Sequence, residues 1–151
     1  MHSLARRFLK TAIAFLVIGI ALGVWFLWRR ELGGAAISQR ELSAHTHALL
    51  VGFVMMMIAG VALWMFPRPS ADDARYKPQL AVFAWWLIAP GTALRIAGEL
   101  LAGFEPTRAI RIAIVIAGLA QAVGLILVFW TILPRIRAAG SAQREAKGER
   151  F

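Results

Sequence analysis

Four long apolar stretches leave this chain little choice of fold. They cover about residues 11–28, 44–66, 79–103 and 109–133, and the first, Thr11 to Trp28, carries no charge in 18 positions. A helix needs about 20 predominantly apolar residues to cross the hydrocarbon core of a bilayer. In hydrocarbon the backbone must satisfy its own hydrogen bonds, which a helix does within one segment. The chain is 60% hydrophobic over 151 residues, above the ~45–50% of a soluble domain. The sequence therefore predicts an all-α, four-helix transmembrane bundle over residues 1–134, with a basic tail over 135–151.

A cleaved signal peptide is the competing reading of the first stretch, because Arg6, Arg7 and Lys10 precede it. The stretch exceeds the ~7–15 residues of a signal core. Trp25, Phe26 and Trp28 also stand where small cleavage-site residues belong, so it is read as a retained helix with an interfacial tryptophan belt.

The connectors carry their own signals. Gly33-Gly34 ends the first helix. Ser38-Gln39-Arg40-Glu41 reads as a capping box that starts the second, which stops at Pro67-Arg68-Pro69. A charged loop follows to residue 79. Pro78 opens the third helix, Pro90 kinks it, and Glu105-Pro106-Thr107 connects to the fourth, which ends at Pro134.

Four spans place both termini on one side. Eleven Lys and Arg residues fall there, in the N-terminal tail, the loop after Phe66 and the tail from Arg135. The other side has Arg29, Arg30, Arg40 and Arg108, with Arg111 at its border. The positive-inside rule predicts an up-down bundle with cytoplasmic termini, in a bacterial inner (plasma) membrane. The +9 charge lies at helix ends rather than in one patch, so it is no nucleic-acid footprint. The absence of cysteine excludes disulfides, thiolate nucleophiles and Cys-ligated metal. No phosphate loop, carboxylate dyad or nucleophile triad is present.

Chemistry concentrates at the outer end of the second and third helices. His45 and His47 are the only histidines besides His2. Residues two apart on a regular helix point ~200° apart, so the two rings serve opposite faces and do not chelate one metal. Arg95 and Glu99 lie four apart and can pair. Counting back from Phe104 puts Glu99 about 7–8 Å and Arg95 about 13–14 Å below the outer end. Ionisable groups at such depth face a bundle interior or a wet cavity. With Arg111 at the start of the fourth helix, the residues Glu41, His45, His47, Arg95, Glu99 and Arg111 converge on one leaflet. From the residues alone, the histidines also read as interfacial polar groups and Arg95–Glu99 as a structural ion pair. Gln121 reads as an interhelical hydrogen bond, and Ser38 and Ser43 as helix-start residues. Of Met55, Met56 and Met57, at most one faces any cofactor. Gly19/Gly23, Gly52/Gly60, Gly91/Gly98 and Gly118/Gly124 read as places of close helix approach.

The stretch from His45-Thr46-His47 to Arg68, with Gly52, Met57, Gly60 and Phe66-Pro67, resembles the His-x-His helix of heme–copper oxidase subunit I, nearest the nitric oxide reductase side of that superfamily. Leu94-Arg95-Ile96-Ala97-Gly98-Glu99 is similar to the Arg-x-x-Gly-Glu element of short four-helix relatives. The resemblance implies heme b as cofactor and heme iron as the metal. His45 takes the high-spin position and His47 the low-spin one. Arg95 and Arg111 become cofactor-binding cations, Arg95 toward a propionate or other anion, and Glu99 part of the cofactor site or of a proton path.

The family's second low-spin histidine, its three copper-site histidines and its helical tyrosine have no counterpart here; Tyr76 lies in a loop. This chain alone is therefore not expected to reduce oxygen or nitric oxide. It is expected to hold a heme by one histidine, by histidine and methionine, or between two copies. The expected function is a small integral membrane b-type heme protein in electron transfer, gas sensing or partnership with a respiratory complex. Its partners are the lipid bilayer and either a second copy or that complex, and not nucleic acid. The other readings are a cofactor-free structural assembly subunit and a transporter subunit built on Arg95 and Glu99.

Overall fold

The computed structural model describes residues 3–66 and 77–136. The charged loop from Pro67 to Tyr76, the tail beyond Ile136 and His2 lie outside the described residues. Within them the chain is helical: α1 (Ser3–Glu31), α2 (Gln39–His47), a π-helical segment (Ala48–Met55), α3 (Met56–Met65), α4 (Pro78–Phe104), α5 (Arg108–Ile132) and a closing 3₁₀ turn (Leu133–Arg135). The α2, π and α3 segments form one continuous rod, Gln39–Met65. With Ser3–Glu31, Pro78–Phe104 and Arg108–Arg135 it makes four helices long and apolar enough to cross a membrane.

Local chemistry explains where the rods begin. Ser38 caps α2 with both halves of the box in place: the Glu41 amide donates to Ser38 Oγ at 3.2 Å, and the Ser38 amide to Glu41 Oε2 at 2.8 Å. Thr107 caps α5 by accepting from the Ile110 amide at 3.3 Å. Gly34, at φ +62°, turns the chain away from α1 in the left-handed region that suits glycine. The structure starts α1 at Ser3, ahead of the uncharged run. Its basic first turns are amphipathic, with Phe8 fully buried while Arg6, Arg7 and Lys10 are outside.

The core is built from small residues and a few large ones: Ala12, Ala44, Ala48, Ala59 and Ala84 pack with Phe8, Phe15, Met56 and Ile88. Two close seams hold the rods together. A Cβ placed at Gly19, Gly52 or Gly60 would lie 2.3–3.0 Å from Leu49, Phe15 or Leu9 respectively. The α1 rod and the second rod thus run antiparallel at close range. The α4–α5 seam is of the same kind, with Gly98 against Ile114, Gly91 against Ala117, and Gly124 against Ile88 and the Ala84 carbonyl. Small residues let backbones approach and gain dispersion contacts where lipid offers no hydrophobic drive. Val17, Val24, Val115, Leu119 and Ile126 point outward, a surface suited to acyl chains. Trp25 and Trp28 are exposed near one end of the rods, and Trp64 and Trp130 near the other.

Arg135 belongs with the bundle rather than with the basic tail. It is 5% exposed and donates to the Leu63 and Phe66 carbonyls at 2.9 and 2.7 Å, at the helix end where carbonyls lack intrahelical partners.

Candidate functional site

Where the second rod begins, α2 lies between α1 and α4, so its two histidines meet different neighbours. His45 turns to α1. Its Nδ1 lies 3.0 Å from the Gly19 carbonyl, its ring edge stands close to Gly23, and it meets Phe26 edge to face with centroids 6.4 Å apart. His47 turns the other way. Its Nδ1 lies 2.8 Å from the Ser43 carbonyl, one turn earlier, and 3.3 Å from Ser43 Oγ.

A carbonyl oxygen only accepts, so in both rings Nδ1 carries the proton and donates it. The neutral imidazole then has its lone pair on Nε2. Among the described residues neither Nε2 has a hydrogen-bond partner. The helix stays regular as far as His47, which keeps the rings on opposite faces, and widens to π winding at Ala48. Single π turns often accompany functional sites; this segment spans eight residues and has no signal in its uniformly apolar sequence.

Behind His47 stands a buried polar chain. Ser43 Oγ donates to Glu99 Oε1 at 2.7 Å, crossing from α2 to α4. Arg95 Nε donates to the same oxygen at 3.0 Å. Arg95 reaches on to Gln121 Oε1 at 3.4 Å, and Gln121 Nε2 donates to Thr92 Oγ1 at 3.0 Å. The chain links three helices. Glu99 is 5% exposed, and its Oε2 is buried without a hydrogen-bond partner among the described residues. An unmet carboxylate oxygen in a low-dielectric interior is costly.

The remaining candidates sit elsewhere. Glu41 pairs with Arg29, whose guanidinium also lies 4.9 Å from the Trp25 ring centre. Arg40 donates to the Ala102 carbonyl at 2.8 Å. Arg111 is exposed and lines a cavity of about 900 Å³ with Arg29, Arg40, Glu41 and Phe104. A second cavity of about 430 Å³, with Phe26, Arg30 and Leu42 in its wall, opens beside His45.

The expected convergence therefore resolves into three places. His47, Arg95 and Glu99 come together through Ser43; His45 belongs to the α1 side; Arg111 and Glu41 belong to the arginine-lined mouth. Ser43, read from sequence as a helix-start residue, is instead the bridge, because Ser38 already caps the helix and Ser43 lies a full turn inside it. Its position four residues before His47 was the signal available. Thr92, one turn before Arg95, was also missed. Met56 is fully buried in the core while Met55 and Met57 are half-buried. Among the described residues no three His, Cys, Asp or Glu side chains gather into a metal-binding group.

Comparison with known proteins agrees with this picture of a helical membrane chain. The family model for cytochrome c and quinol oxidase polypeptide I matches residues 3–146. A protein of Streptomyces coelicolor, the probable cytochrome c oxidase subunit 1-alpha, is 28% identical over 104 residues, covering 65% of this chain. The chain spans only 18% of that relative's length. No solved structure matches. With a family match over nearly all of its length and four helices fit to span a bilayer, the chain is a membrane protein and belongs to the cytochrome c and quinol oxidase polypeptide I family.

Proposed function

We propose that this chain is an integral membrane protein that binds b-type heme through the Nε2 of one of its helical histidines, in electron transfer, gas sensing or partnership with a respiratory complex. One observation carries the reading. Both histidines donate Nδ1–H to backbone carbonyls and, among the described residues, leave Nε2 without a partner, the arrangement in which imidazoles serve as metal ligands. The donor chemistry therefore fits a heme iron: His45 from the α1 side, His47 from the α4 side. A bound heme would supply a one-electron iron couple and a site for a diatomic gas. In this reading Arg95 and Arg111 are cations for propionates or another anion. The bundle is up-down in a bacterial inner membrane with cytoplasmic termini, as its basic residues predict. Because the rings face opposite ways, a second protein ligand to the iron would come from a methionine, a second copy or a respiratory partner.

A reduced-minus-oxidised visible spectrum of the detergent-purified protein, expressed with heme supplied, tests the proposal. A Soret and α band is expected, with unequal losses in His45→Ala and His47→Ala. A spectrum without either band overturns it. The second reading, a cofactor-free structural subunit, draws on the Thr92–Gln121–Arg95–Glu99–Ser43 chain, which joins α2, α4 and α5 by itself. It predicts no band and a large loss of stability on breaking that chain.

A further inference from the structure

The two histidines differ in what stands behind them. His45 Nδ1 rests on a neutral carbonyl, Gly19 O. His47 Nδ1 has the Ser43 carbonyl and, at 3.3 Å, the Ser43 hydroxyl as well. That hydroxyl has one proton and gives it to Glu99 Oε1, 2.7 Å away. Its lone pairs are then free to face the His47 N–H. A hydrogen-bonded line runs from the Glu99 carboxylate through Ser43 to the side of the imidazole opposite Nε2. Arg95 engages only one end of the carboxylate, and Oε2 is buried without a partner among the described residues. The negative charge is thus held in place and only partly spent on the ion pair. The same line ties α2 to α4 and so sets the rotation of α2, which decides where His47 points.

We propose that Ser43 and Glu99 are positioning residues that make His47 the stronger of the two imidazole donors and the one that heme iron takes first. This rests on the heme reading above. A carboxylate behind the distal N–H raises the basicity of a ligating ring and fixes its orientation. Inside a bundle such a line is strengthened by low dielectric.

The test uses the full chain in detergent micelles, titrated with hemin in a His45→Ala background so that His47 is read alone. Ser43→Ala removes the hydroxyl but keeps the carbonyl that fixes the tautomer. Glu99→Gln removes the charge but keeps shape and an acceptor. Each is expected to weaken hemin binding about 10–100-fold, and the double variant no more than the worse single one, because both cut one line. Unchanged affinity in Ser43→Ala, or losses that multiply, overturn the proposal.

The heme-free chain gives an independent readout in ¹⁵N-histidine NMR. Ser43→Ala is expected to shift the His47 Nδ1 resonance and leave that of His45 in place. An unmoved His47 resonance overturns the relay itself. Failure of the unsubstituted chain to take up hemin overturns the heme reading and the donor claim with it, so the two failures are distinguishable.

Discussion

Gly23→Ala is the most direct probe of how His45 is held. A Cβ at that position would sit 2.8 Å from His45 Cε1 and 3.5 Å from Nδ1, whereas carbon atoms rest comfortably at about 3.5–4.0 Å. The ring must retreat by roughly 0.7–1.2 Å to restore that spacing. It is not a free side-chain end. Its Nδ1 is tied to Gly19 O at 3.0 Å, and Phe26 stands against it. Losing the hydrogen bond costs about 0.5–1.5 kcal/mol, and overpacking about 1–3 kcal/mol. Alanine returns about 0.8–1 kcal/mol of helix propensity over glycine. The net expectation is a destabilisation of about 0.5–3.7 kcal/mol, the range set mainly by how far the core overpacks. Gly103→Ala is the matched control: nothing lies within 4 Å of its Cβ position, so the same chemical change is expected to be neutral or to stabilise by up to about 1 kcal/mol. Unfolding both variants with SDS in mixed micelles, followed by circular dichroism, reads the difference. A Gly23→Ala protein as stable as Gly103→Ala would refute the reasoning that His45 is clamped between Gly19, Gly23 and Phe26.

Further substitutions probe the other contacts. Ser38→Ala removes the oxygen that caps α2 and is expected to cost about 1 kcal/mol, seen in the same SDS titration and as faster amide exchange in the first turn of α2. Glu99→Ala removes both the charge and the acceptor facing Arg95 and Ser43 and is expected to cost about 3–5 kcal/mol; Glu99→Gln, which keeps an acceptor oxygen for both, is expected to lose clearly less, and equal losses would show that the charge alone, not the acceptor geometry, carries the contact. Arg135→Ala removes donors from the Leu63 and Phe66 carbonyls and is expected to cost about 2 kcal/mol or more, since bonds to charged groups contribute about 1.5–3 each, with amide exchange rising selectively at the end of α3. Gly98→Ala, whose Cβ would meet Ile114 Cγ1 at 2.8 Å, is expected to destabilise the α4–α5 seam by about 1–3 kcal/mol.

Much of the candidate site was legible because its parts lie within one helical turn of each other. Arg95 and Glu99 pair at 3.0 Å as their four-residue spacing predicts, and Gln121 does bridge helices, to Arg95 and Thr92. His45 and His47 face opposite ways because two residues of regular helix separate them by about 200°. Ser43 reads from sequence as a helix-start residue because a serine there has a familiar local role; only the approach of α4 reveals its bridge to Glu99. Depth alone groups Arg111 with the ion pair, and depth does not fix which way a side chain turns around its helix.

What the sequence determined by itself is the set of four spanning helices and several of their ends. Apolar length, the Ser38–Glu41 box, Thr107 and Gly34 act within a few residues, so their effects are local. What only the tertiary structure decided is which polar groups meet: Ser43 with Glu99 across 56 positions, His45 with Gly19 across 26, and Arg135 with the end of α3. It also decided the π winding that begins just after His47. The reason is physical. A helix that is apolar all round carries little periodic signal for its own rotation or register. Those are settled by where glycine seams let the rods close and by which few buried polar groups then find one another.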